Sequence, residues 1–99
     1  MSDVSPQSVG DRLALLRKVR EIPSQAEMAR LIGCELKRYN HWERGRGQLP
    51  VEFAIEIAKL TGANLDYIYL GDMSALPKNL WTLLAELSSD NSGSTARRG

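Results

Sequence analysis

The sequence holds one cysteine, one histidine and no apolar run approaching the ~20 residues that span a bilayer. Each scarcity closes a class of function. With Cys34 alone there can be no intramolecular disulfide, and the thiolate clusters that usually hold zinc cannot be assembled. Cys34 itself reads as a small buried apolar side chain, the habit of a free cysteine. The stretch Met1–Gln7 is polar and lacks the basic-then-apolar pattern of a secretion signal, so a cytoplasmic protein with no membrane partner is expected. On one helix Cys34 and His41 would lie roughly 10 Å apart along the axis, too far for a nucleophile and its base. Gly-rich phosphate loops, HExxH and CxxC are missing as well. No enzyme is expected, and no metal, cofactor or small-molecule effector has a recognisable seat.

What the chain does have is the composition of a folded domain. Hydrophobic residues at 42% and charged residues at 25% exclude a wholly disordered chain, and 99 residues suffice for one domain. The net charge of +1 hides an uneven distribution. Between Arg30 and Arg46 five basic residues (Arg30, Lys37, Arg38, Arg44, Arg46) face two acidic ones (Glu35, Glu43), a local +3 suited to a polyanion partner.

The pattern is helical throughout. Leu13, Leu16 and Val19/Arg20 share a stripe in Gly10–Arg20, which Pro23 ends. Ser24-Gln25-Ala26-Glu27 is a capping box, followed by Met28, Ala29 and Ile32 and closed by Gly33. From Glu35 to Arg44 the core positions are Tyr39 and Trp42, and Lys37, Asn40, His41 and Arg44 cluster on the opposite side of the wheel. Pro50 suits the first turn of a fourth helix carrying Val51, Ala54, Ile55, Ile57 and Ala58, and Asn64 caps a short fifth that Gly71 closes. Leu76, Leu80, Leu83, Leu84 and Leu87, with Trp81, form a separate apolar segment, and Ser88–Gly99 has no apolar period.

The run SQAEMARLIGCELKRYNHWERGRGQLP (24–50) and the later IAKLTGANLDYIYLGD (57–72) resemble the phage-repressor and Cro-like helix-turn-helix family of transcriptional regulators, over Val9 to about Asp72. The resemblance implies an all-α, five-helix, lambda-repressor-like bundle, here with an additional C-terminal helix. It makes Glu35–Arg44 the recognition helix, with Glu35, Leu36, Lys37, Arg38 and His41 at base-reading positions and Gln25 at a phosphate-clamping one. Lys37, Arg38 and His41 have donors for guanine, and Leu36 suits a thymine methyl. Arg30, Arg44 and Arg46 are better placed for phosphates. Asn40 shares the outward face and counts as a DNA-binding residue too. Glu35 replaces the usual small cap and either accepts from a cytosine amine or merely complements the helix dipole. The family also buries the carboxylate at Glu43 against an arginine of the first helix, which here would be Arg17. Pro23 stands where the family prefers an aliphatic residue, and the link from helix one is one residue longer.

These readings divide the chain into a flexible segment (1–8), the DNA-binding domain (9–72, helix two about 24–32, helix three about 35–44), a C-terminal helix (73–87) and a disordered tail (88–99). They predict a Cro-like repressor that binds a palindromic operator in double-stranded DNA as a homodimer. Leu76, Leu80, Trp81, Leu83, Leu84 and Leu87 are the candidate dimer interface, the alternative being that this segment folds back on helices one and five. An antitoxin or adaptor using the same fold for protein interaction is the competing reading.

Overall fold

Ser5 and Pro6 open the first helix. The Ser5 hydroxyl accepts from the Ser8 amide at 3.2 Å, and Pro6 occupies the first helical position, where its missing N–H costs nothing. The computed structural model describes the backbone of residues 5–98 and the side chains of residues 5–88. Of the amino-terminal segment expected to be flexible, residues 1–4 lie outside the described residues, and 6–8 belong to α1 (Pro6–Val19).

Helix α1 therefore starts four residues before the expected Gly10. Gly10 reads as a boundary because glycine weakens helices, yet it sits inside one for a packing reason. A Cβ at Gly10 would lie 2.5 Å from the carbonyl oxygens of both Trp42 and Glu43. The hydrogen of glycine is what lets α1 pass against the end of α3 (Leu36–Glu43).

Between them come α2 (Gln25–Ile32) and, after α3, α4 (Val51–Thr61); a single turn of π-helix, Asp66–Leu70, and α5 (Lys78–Arg98) complete the chain. The described residues contain no strand. The fold is all-α. Leu13 and Leu16 of α1, Met28 and Ile32 of α2, Tyr39 and Trp42 of α3, Ala54 and Ile57 of α4, and Tyr67 and Ile68 converge in one core. Asn64 caps the π-turn as its sequence suggests, accepting from the Tyr67 amide at 2.8 Å. Ile22 is buried while Pro23 is exposed, so the aliphatic contact missing at Pro23 is made one residue earlier.

Arginines of α1 fasten the far elements. Arg20 Nε donates to the Thr61 carbonyl at 2.7 Å, satisfying an otherwise orphaned acceptor at the end of α4, and Arg12 Nη1 donates to the Ile68 carbonyl at 3.1 Å. Arg20 is thus an exposed strap rather than a member of the apolar stripe.

The leucines ahead of and within α5 divide. Leu76, Leu80 and Leu84, expected at a dimer interface, are at most 8% exposed and lie in the core of the chain itself, where α5 packs on α1. Trp81 and Leu83 flank that stripe at 47% and 40% exposure, and Leu87 is half-buried. The helix continues to Arg98, through the stretch expected to be a disordered tail; the side chains from 89 onward lie outside the described residues. No helix among the described residues is long and apolar enough to cross a membrane.

Candidate nucleic-acid interface

The two central helices are joined by a turn whose geometry follows from its residues. Ser24 is extended, and its Oγ accepts from the Glu27 amide at 3.1 Å, the forward half of the capping box. The reverse half is not made, because the Glu27 carboxylate instead takes both ends of the Arg30 guanidinium one turn along. Gly33 ends α2 at φ 80°, a left-handed conformation that costs glycine nothing, and the amides of Gly33 and Cys34 both return to the Ala29 carbonyl. Two residues later α3 begins. Glu35 occupies its cap with an extended backbone and no side-chain hydrogen bond to the helix, so the first amides of α3 remain free. Cys34 is half-buried against the core, and burial, the largest influence on it, pushes its thiol pKa up, away from reactivity.

The inward side of α3 is saturated. Glu43 receives Arg17 Nε at 2.8 Å and the Tyr39 hydroxyl at 2.6 Å on Oε2, and Gln25 Nε2 at 2.8 Å and Arg17 Nη2 at 3.3 Å on Oε1. The side chain of Glu43 is only 5% exposed and that of Arg17 16%, so this is a buried pair in the energetic sense. Burial on its own would raise the Glu43 carboxyl pKa, but the hydrogen bonds from Arg17, Tyr39 and Gln25 outweigh it and hold the group below its ordinary range. Burial, followed by the same carboxylate, pushes the Tyr39 phenol far up. Two lone pairs on each oxygen meet four donors, and α1, α2 and α3 are fixed to one another through a single side chain.

A helix-turn-helix family model matches residues 16–68, just over half of the chain. The chain belongs to the helix-turn-helix family. The match is of the Cro and phage-repressor type, and the domain is accordingly a DNA-binding one. No curated protein and no solved structure matches the chain.

Within this helix-turn-helix the expected DNA-binding residues fall into three groups. Lys37, His41 and Arg44 are exposed on the side of α3 away from Tyr39 and Trp42, with Glu35 and Leu36 exposed at its start and Arg46 exposed in the turn beyond. Arg38 and Arg30 are exposed but engaged. The Arg38 guanidinium stands 5.3 Å from the Trp42 ring centroid and 5.1 Å from that of Phe53, at the α4 edge of the face. Phe53 as a platform for Arg38 escapes the sequence pattern, since it comes from another helix; Trp42, four residues on, is the local signal. Among the described residues the exposed Arg30 pairs only with the partly exposed Glu27, an attachment that water screens and a phosphate could displace.

Gln25 and Asn40 form the third group. Asn40 Nδ2 donates to Gln25 Oε1 at 2.6 Å, and Gln25 passes a hydrogen on to Glu43. Asn40 is not the freely outward side chain that its wheel position implies; both residues are half-buried and linked across the two helices of the motif. Among the described residues no cluster of three or more His, Cys, Asp and Glu is gathered that could hold a metal ion.

Proposed function

We propose that the protein is a sequence-specific transcriptional regulator, a Cro-like repressor that places α3 in the major groove of a palindromic operator and binds it as a homodimer. The observation that carries this reading is the division of α3: a polar face of Lys37, His41 and Arg44, with two fixed cations, turned to solvent, on a helix whose other side is locked by a buried carboxylate. Such a helix can enter the groove without reorganising, with its early residues at base edges and its flanking arginines at phosphates. Gln25 adds an amide at the N-terminus of α2, where free backbone N–H groups favour an anion.

A single module of this size makes few base contacts, so useful affinity comes from two half-sites about one DNA turn apart. The dimer contact is assigned to the exposed flanks of α5, Trp81 and Leu83. A partner protein would use the same two side chains in the competing antitoxin or adaptor reading.

Selection of the full chain against a random duplex pool at physiological salt tests the function. Enrichment of an inverted repeat is expected, and recovery of no motif sinks the regulator reading. Solution mass measured for the Trp81→Ala, Leu83→Ala double variant tests the assembly: a monomer is expected, and an unchanged dimer removes α5 from the interface.

A further inference from the structure

The half-buried amide pair Gln25–Asn40 carries more information than a scaffold contact requires. Glu43, held ionised, is an acceptor only, and it dictates the orientation of what touches it. Gln25 must turn its NH2 toward Glu43, which it does at 2.8 Å, and therefore its Oε1 toward Asn40. Asn40 must then answer with its own NH2, as it does at 2.6 Å. A carboxylate buried between α1 and α3 thus sets, through two amides, which way round Asn40 sits at the margin of the exposed face.

The consequence lies in what Asn40 has left. One Nδ2 hydrogen is used, and among the described residues no other hydrogen bond engages the second one or Oδ1. No buried side-chain nitrogen or oxygen among the described residues lacks a partner, so the unpartnered Oδ1 is open to solvent. Asn40 also stands one turn before Arg44 and three residues after Lys37, on the sector that the exposed cations occupy. An acceptor oxygen and a donor hydrogen side by side on one amide match the N6 amine and N7 of adenine in the major groove.

We infer that Asn40 is the adenine-reading residue of α3, with Gln25 as the positioning residue that fixes its amide. The inference rests on the DNA-binding reading above and deepens it by naming a base. The reversed amide is forbidden, because it would bring two carbonyl oxygens together at the Gln25 contact. Alternation of the amide between purines is therefore suppressed, and the preference is built in before DNA arrives.

The test uses the full chain and the duplex recovered by selection, together with its single-base variants. Wild-type protein should prefer adenine over guanine at one position of each half-site by roughly 5- to 100-fold. Asn40→Ala should bring that ratio close to one while leaving preferences at the other positions in place. Gln25→Met, which keeps the volume and removes the relay, should lower the same ratio although Asn40 is intact, and should weaken every duplex through its own lost contact. If both variants weaken all duplexes alike with the base ratio unmoved, the pair is only structural and the inference falls while the regulator reading stands. If no duplex is selected by the wild type, both fall together.

Discussion

The two sides of α3 are built on opposite rules. Inward, Glu43 collects four hydrogen bonds from Arg17, Tyr39 and Gln25, and the Trp42 ring packs edge-on against Tyr39 at 6.3 Å between centroids. Outward, Lys37, His41 and Arg44 are exposed and make no side-chain hydrogen bond or ion pair among the described residues. The first side is over-determined and the second is left for a ligand. Stability and recognition are thereby separated within eight residues, and substitutions on the outer side can alter what is read without altering whether the helix forms.

The sharpest way to break the contrast is to remove the cation behind Glu43. Arg17→Met should cost ~3–5 kcal/mol in denaturant unfolding, since it leaves a buried carboxylate with only neutral donors. The pH dependence distinguishes this from lost packing. In the native protein the folded pKa of Glu43 lies below its ordinary value near 4.5, so its contribution is present above that pH and is lost as pH falls through the folded pKa. In Arg17→Met burial is no longer outweighed by the cation, the folded pKa moves up, and the deficit relative to wild type should narrow on acidification. A deficit that is constant from pH 7 to 4 would mean that the network's charge is not what stabilises it.

A smaller loss is expected from the seam on which that network depends. Gly10→Ala should destabilise by ~1–3 kcal/mol, because a methyl 2.5 Å from two backbone carbonyl oxygens forces α1 and α3 apart, and a carbonyl cannot swing aside as a flexible side chain can. Helix propensity alone predicts the opposite sign, a gain of up to ~1 kcal/mol, so the urea midpoint decides which effect dominates.

Much of the inner side was legible in the sequence, and the reasons are local. Ser24, Gly33 and the Tyr39–Trp42 spacing act within a few residues of themselves, through caps and helical period, and each is realised. The Arg17–Glu43 pair follows from the family pattern and is present. What the sequence concealed depends on which element comes near. Gly10 reads as a helix boundary until α3 is laid across it. Glu27 completes a capping box on paper, but Arg30 offers it a charge on the next turn. Leu80 and Leu84 have the same spacing in an interface helix as in one folded onto α1, and only the tertiary contact distinguishes them. Asn40 sits on the outward arc of the wheel, and its bond to Gln25 depends on how close α2 passes.

The outer side should respond in the reverse manner, with the smallest changes in stability. Lys37→Ala and His41→Ala each remove an exposed side chain with no partner among the described residues, so unfolding free energies should stay within ~0.5 kcal/mol of wild type. Binding should suffer instead, by ~1–3 kcal/mol at the base each side chain reads, whereas Arg44→Ala should weaken all duplexes alike and flatten the dependence on salt, as loss of a phosphate contact does. The ratio of binding loss to stability loss is therefore the quantity to measure, by titration and melting on the same preparations. It should be large for Lys37 and His41, since neither adds to the core. It should be small for Arg17, whose effect on binding passes through the fold. Comparable ratios on the two sides would mean that α3 is held in place by its DNA rather than presented to it.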